Sequence, residues 1–222
     1  MSGFTVTIKD LRFKYADRYR RSNFELVVDN FTTSGCAAVM GENGSGKTTL
    51  GKLVAGILRP AFGCVFYNDA DIATLSLGEI GRQVGYLFQE PSRQIFAPKP
   101  LEEIAMPLEL RGMPKEEANE KAAEMLEKFE LSHIKESVTF TLSRGEKQRL
   151  AIAAAMVMQP KYFVLDEPTT GLDKARRQIL ADTLKILQAD GMGILLISHD
   201  MGFVEMMGAT VHQMKGGRFV DA

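Results

Sequence analysis

The spacing of apolar positions changes along the chain. Thr5–Ile8 and Phe24–Val28 alternate apolar and polar residues, as half-buried strands do, and Cys36–Met40 is a short continuous apolar run that ends in a glycine-rich turn. Lys47–Leu58 then reads as a helix stopped by Pro60, and Val84–Phe88 as another short apolar strand. From Pro100 to Met158 the pattern is helical. Glu102–Leu110, Lys115–Phe129 and Ser143–Met158 carry apolar residues three or four apart, among them Ala118, Ala122, Met125 and Phe129. Alternation returns with a strand at Tyr162–Leu165, a helix at Asp173–Gln188, and strands at Ile194–Ile197 and Val211–Met214. Strands alternating with helices predict an α/β fold with a largely parallel sheet. The stretch at about 90–158 is expected to be a helical subdomain inserted between two parts of a core, about 1–89 and 159–222.

Composition adds limits. The 222 residues suit a single domain, and 45% hydrophobic with 25% charged residues is a soluble, globular profile. A net charge of −1 and a pI near 6.3 give no bulk attraction to nucleic acid or anionic lipid, so a phosphate site must be built locally. The cluster Arg18-Tyr19-Arg20-Arg21 reads as a solvated turn, and Met201–Met207 as helix packing. Cys36 and Cys64 both fall in runs that read as buried strands, which predicts unpaired thiols in a reducing compartment. Met1 to Tyr15 lacks the basic-then-apolar pattern of a secretion signal. The longest apolar run, Leu150 to Met158, covers nine residues against the roughly twenty of a membrane helix. A membrane role would need another polypeptide to hold the chain there.

Three stretches carry chemistry. Gly41-Glu42-Asn43-Gly44-Ser45-Gly46-Lys47-Thr48 follows an apolar strand and opens a helix. Glycines there let backbone N–H groups turn inward around phosphate oxygens, with Lys47 reaching the β/γ-phosphates and Thr48 placed as a Mg²⁺ ligand. Tyr162–Asp166 is an apolar strand that ends in a carboxylate and continues into Glu167. Asp166 is suited to hold Mg²⁺ through water and Glu167 to activate an attacking water, although a solvated strand end has the same pattern. At Leu142–Glu146, Ser143 opens a helix with Glu146 three residues on, which is a capping box. The same helix N-terminus, with Gly145 leaving room, can also receive a phosphate.

In this order, and over essentially the whole chain, these elements closely resemble the ATP-binding cassette ATPases. The matching stretches are Gly41–Thr49 (Walker A), Gln89 (Q-loop), Leu142–Glu146 (signature), Asp166–Glu167 (Walker B), Gly171-Leu172-Asp173 (D-loop) and His199 (H-loop). The resemblance implies a P-loop NTPase sheet core with an N-terminal antiparallel β layer and an inserted α-helical subdomain. It implies ATP and Mg²⁺ as ligands, and a head-to-tail homodimer or heterodimer with a second cassette ATPase. In that dimer Ser143, Gly145 and Glu146 of one subunit close over the γ-phosphate held by the other. It further implies that Tyr15 stacks on adenine and that Gly41, Asn43, Gly44, Ser45, Gly46, Lys47, Thr48 and Thr49 bind the phosphates. Thr48, Gln89 and Asp166 would serve the metal, with Lys47, Gln89, Glu167 and His199 acting in catalysis. Taken alone, Tyr15 would be an exposed strand aromatic, Gln89 a loop amide and His199 a structural histidine. Arg144 and Glu146 depart from the usual Gly and Gln of the signature, so altered nucleotide affinity with retained activity is expected.

A more local resemblance concerns Gln89–Phe96 and the run to Pro107–Gly112, which look like the energy-coupling-factor and cobalt-type importer ATPases. Those proteins use a segment after the Q-loop glutamine to dock a transmembrane coupling protein; a generic connecting loop is the plain alternative. Many of that group also carry a further C-terminal dimerisation segment beyond a strand such as Val211–Met214. The resemblance implies a cytoplasmic ATPase, peripheral on the inner face of the cell membrane, working with a coupling protein and a membrane substrate-binding protein. It implies uptake of a vitamin or transition-metal ion and no nucleic-acid partner. The alternatives are an exporter or lipoprotein-release ATPase, or a non-transport scaffold-assembly ATPase.

Overall fold

The computed structural model describes residues 3–15 and 24–220, and the Arg18–Arg21 cluster lies outside the described residues. Strands β1 (Val6–Phe13), β2 (Leu26–Thr33), β4 (Phe62–Tyr67) and β5 (Ala70–Asp71) form an antiparallel sheet in the order β2-β1-β4-β5. Strands β3 (Cys36–Met40), β6 (Val84–Leu87), β7 (Tyr162–Asp166), β8 (Gly193–Ile197), β9 (Thr210–Lys215) and β10 (Arg218–Val220) form a second sheet, ordered β10-β9-β3-β8-β7-β6. Its pairings are parallel except β10 with β9.

The continuous apolar runs of β3, β7 and β8 have a simple cause: both faces of the sheet are covered. Ala37, Val39, Val164, Leu195 and Ile197 face helix α1 (Lys47–Val54) and the antiparallel sheet. The intervening Ala38, Phe163, Leu165, Ile194 and Leu196 belong to a second core, shared with helices α3 (Pro100–Glu109), α4 (Lys115–Lys128), α5 (Arg144–Met156), α6 (Lys174–Ala189) and α7 (Met201–Met206). Helices α3 to α5 all fall between β6 and β7, in the stretch expected to be helical.

Several boundaries differ from the sequence pattern for local reasons. Helix α1 ends at Val54 and not at Leu58, because Gly56 adopts φ 66° and the Ile57 N–H turns back to the Lys52 carbonyl at 2.9 Å. This is a left-handed glycine cap, acting before Pro60 can. Strand β1 runs past Ile8 through a bulge: Asp10 sits at φ 50°, and the pairing with β4 slips between Lys9 and Arg12. The extra residue breaks the alternation yet returns Leu11 and Phe13 to the core. Strand β2 continues across polar Asp29 and Asn30 because its ladder with β1 holds it. Strand β4 is the buried run expected around Cys64, whereas β5, β10 and the short helix α2 (Leu77–Gly81) were not anticipated. Cys36 is buried as expected, but Cys64 on β4 is only partly covered; both are free thiols.

The segment after β6 is fastened at several points. The Gln94 side chain accepts from the Phe88 N–H at 3.1 Å and donates to the Tyr86 carbonyl at 3.0 Å. It acts as an extra partner for the end of β6. Buried Glu103 on α3 accepts from the Phe96 and Ala97 N–H groups at 2.8 and 2.6 Å. The buried hydroxyl of Thr139, three residues before Leu142, donates to the Ala97 carbonyl at 2.7 Å.

Burial pushes the Glu103 carboxyl above its ordinary range, an effect its two backbone hydrogen bonds only partly offset. A raised acid favours folding fully below the ordinary carboxyl pKa, and that contribution is lost as pH rises through the raised value. Glu103→Gln keeps the acceptor without the charge. Its stability in urea titrations should match or exceed wild type at pH 7 and lack the wild-type decline over that window. Glu103→Ala should lose about 2 kcal/mol, because it orphans the buried Ala97 N–H and the part-buried Phe96 N–H.

Candidate functional site

The loop between β3 and α1 is a backbone cradle. Gly41, Gly44 and Gly46 have φ of 151°, 80° and 108°, values that turn successive N–H groups inward. Two of these glycines are also required by close approach. A Cβ on Gly41 would lie 2.0 Å from the Met214 carbonyl oxygen, and one on Gly46 would lie 2.9 Å from Phe24 Cζ. The loop is tied to the rest of the sheet through the Gly217 N–H, which donates to the Ser45 carbonyl at 2.9 Å. Buried Lys47 donates to the carbonyls of Gly41 and Glu42 at 2.7 and 2.9 Å, so its ammonium spans the mouth of its own loop. Ser45 Oγ is buried in the same loop without a hydrogen-bond partner among the described residues. A buried hydroxyl left open beside inward N–H groups fits an anion.

A cleft of about 550 Å³ opens over this cradle. Asn43, Gly44, Gly46, Lys47, Thr48, Thr49, Gln89, Asp166 and Glu167 line it, with Tyr15 at one side. The parallel register explains the convergence: β3, β6 and β7 all end at one edge of the sheet, and each delivers its next residues to that edge. The Tyr15 hydroxyl is 3.1 Å from Thr49 Oγ1, while its ring remains half exposed against Phe13. Phe24 also lines the cleft. The sequence pattern offered it only as the first residue of a strand, and its place in the cleft required the folded sheet.

Asp166 is 1% exposed, and desolvation raises its carboxyl pKa against the lowering effect of its hydrogen-bond donors. Thr48 donates to Oδ1 at 3.2 Å, so two residues expected to serve one metal ion are brought together. Tyr86 donates to Oδ2 at 3.1 Å and was not anticipated. Burial, with the Asp166 charge beside it, pushes the Tyr86 phenol well above its ordinary range and keeps it a donor. Glu167 follows at φ 52°, its N–H bonded to the Ile197 carbonyl at 2.8 Å. His199 Nδ1 lies 2.8 Å from Glu167 Oε2, yet that oxygen has no aligned donor; the approach is an ion-pair distance and not a formed hydrogen bond. The His199 side chain is mostly exposed and does not line the cleft.

The signature residues lie elsewhere. Ser143 Oγ accepts from the Glu146 N–H at 3.4 Å while Glu146 Oε2 accepts from the Ser143 N–H at 2.8 Å, completing the capping box of α5. The Ser143 hydroxyl is the first cause of the lowered Glu146 pKa. Ser143, Gly145 and Glu146 do not line the cleft. They abut the turn after Glu167 instead: a Cβ on Gly145 would lie 3.3 Å from the Gly171 carbonyl oxygen, and Arg144 packs on Gly171. Fully buried Gln148 adds a link by donating to the Pro168 carbonyl at 3.1 Å.

With this geometry in place, the likeness to known proteins can be stated. The family model described as ABC transporter matches residues 30–170. The chain belongs to the ABC transporter family. An ABC transporter ATP-binding protein of Methanosarcina acetivorans is 37% identical over 97% of the cassette, which spans only 35% of that protein's length. The energy-coupling factor transporter ATP-binding protein EcfA of Methanothermobacter thermautotrophicus is 38% identical over 97% of the cassette and is covered to 69%. Among solved structures, CbiO1 of Clostridium perfringens, part of the ABC transporter complex CbiONQ, superposes with a TM-score of 0.83 at 28% identity. That match covers 99% of the cassette and 88% of the CbiO1 chain, so the architecture is that of an ABC ATPase. Among the described residues, no helix of the cassette is long and apolar enough to cross a membrane.

Gly41→Ala tests the cradle. The added methyl has backbone, not a flexible side chain, in its way, so the variant should lose about 3 kcal/mol of stability in urea unfolding. Gly44→Ala meets nothing within 4 Å and should lose less, through its φ of 80° alone.

Proposed function

We propose that the cassette is the ATP-hydrolysing subunit of a membrane importer of the energy-coupling-factor kind. One observation carries the reading. A phosphate cradle, Lys47, the Thr48–Asp166 pair and Glu167 share one cleft, while the signature residues Ser143, Gly145 and Glu146 of the same chain do not line it. A single chain thus holds two half-sites that a head-to-tail pair would complete.

In this reading the inward N–H groups of 41–48 and Lys47 bind the β- and γ-phosphates, and Tyr15 and Phe24 flank the adenine. The Thr48 hydroxyl, the Asp166 carboxylate and the Gln89 amide oxygen are hard donors suited to Mg²⁺, whose charge would offset that of the phosphates. Glu167 accepts a proton from water as the water oxygen bonds to the γ-phosphorus, and the β–γ bridging oxygen leaves with ADP. His199, already within 2.8 Å of Glu167, is placed to turn toward the γ-phosphate. The partner's Ser143 and α5 N-terminus would close over that phosphate.

The helical stretch at about 90–158 offers the transmission surface to a transmembrane coupling protein. A groove there is lined by Phe96, Leu101, Met106 and Leu110 together with Lys99 and Glu102. Phe96 and Leu110 are 77% and 81% exposed. The 38% identity to EcfA and the likeness to CbiO1 support an importer over an exporter or a scaffold-assembly role, with a vitamin or transition-metal ion as cargo. A membrane substrate-binding protein would select that cargo, and the cassette would sit on the cytoplasmic face.

Glu167→Gln should reduce ATP hydrolysis by at least ~10²-fold while retaining nucleotide binding. Size-exclusion with ATP should then reveal accumulated dimer. Normal turnover, or a monomer at high protein and ATP concentration, would refute the composite site. For coupling, Phe96→Ser with Leu110→Ser should leave melting temperature and basal ATPase near wild type but abolish copurification with a membrane partner. Unchanged copurification would place that surface elsewhere.

A further inference from the structure

The two oxygens of Asp166 have different neighbours. Oδ1 receives the hydroxyl of Thr48, which lines the cleft, whereas Oδ2 receives the hydroxyl of Tyr86, which does not. Oδ1 is therefore the oxygen presented to a ligand, and Oδ2 is the one fixed from behind. The parallel register accounts for the meeting. Tyr86 pairs with Val164, and Asp166 lies two residues further along the same face of β7, within reach of a long aromatic side chain.

The ring of Tyr86 has little freedom. It is 8% exposed, packs at 4.9 Å edge-to-face on Phe88, and lies against α1, where a Cβ on Gly51 would approach Cε2 to 3.4 Å. Its backbone is held as well, since the Tyr86 carbonyl accepts from Gln94 Nε2 at 3.0 Å. One residue thus touches the carboxylate in the cleft through its side chain and the clamp of the following segment through its main chain.

We propose that Tyr86 is a positioning residue for the metal-dependent step of nucleotide binding, orienting Asp166 by holding Oδ2 while Oδ1 faces the ligand. A group that binds the far side of a ligating carboxylate limits its rotation and fixes the direction of its free oxygen. A phenylalanine here would fill the same space and lack only that hydrogen bond. The alternative role is that the hydroxyl merely satisfies a buried carboxylate. The two roles differ in whether the effect depends on a divalent cation.

The inference rests on the cleft being a Mg²⁺–ATP site. The test is equilibrium binding of a fluorescent ATP analogue to the full chain, wild type and Tyr86→Phe, each with Mg²⁺ and with EDTA, together with melting curves. The expected result is a roughly tenfold loss of affinity in Mg²⁺, with affinity in EDTA within twofold of wild type. Equal loss in both conditions, no loss in either, or a Phe variant that no longer folds would each overturn the positioning role. If wild type itself binds no nucleotide, or binds it without regard to Mg²⁺, the reading of the site fails instead.

Discussion

A carboxylate buried at the end of a central strand has to be paid for in hydrogen bonds, and Asp166 draws them from two other elements. Thr48 comes from the start of α1 and Tyr86 from the neighbouring strand β6. An unpartnered charge at 1% exposure would be prohibitively costly, so these contacts fix how α1 and β6 meet β7. Helix α1 can approach because Gly51 faces Ile197 and Val164, where a Cβ would come within 2.5 and 3.1 Å. The phosphate loop is built onto that docked helix, and its geometry follows from the docking.

The same loop is closed on itself. Lys47 satisfies its ammonium with two carbonyls of its own loop, and the turn between β9 and β10 straps the loop from behind through Gly217. Buried Ser45 Oγ is left open in the same loop, where its hydroxyl could donate to an anion.

The two cores are joined by a short polar path as well as by packing. Gln94 fastens the segment after β6 to that strand, Glu103 fastens its far end to α3, and Thr139 passes the connection to the turn before the signature helix. From α5, Gln148 returns to the turn after Glu167. Buried hydrogen bonds of this kind favour one arrangement of the elements they join, although Gln148 Oε1 itself has no partner among the described residues. A rigid-body displacement of the helical stretch would therefore be felt where β6 and β7 end beside the cleft.

The sequence by itself determined the class of fold, the helical stretch between β6 and β7, and most of the cleft. Those features depend on local rules: glycines before Lys47 permit only a few backbone turns, an apolar run ending in Asp-Glu places carboxylates at a strand edge, and three-to-four spacing makes a helix. Tertiary structure decided what depends on neighbours distant in sequence. The partners of Asp166 are 118 and 80 residues away, so no spacing rule could name Tyr86, and Phe24 joined the cleft only once the antiparallel sheet folded over Gly46. Sequence likewise does not reveal that the end of β6 has a donor and an acceptor for Gln94 to satisfy. The signature lies outside the cleft for a similar reason. A capping box reads the same at any helix start, and only the packing of α5 against the Gly171 turn decides which way that start points.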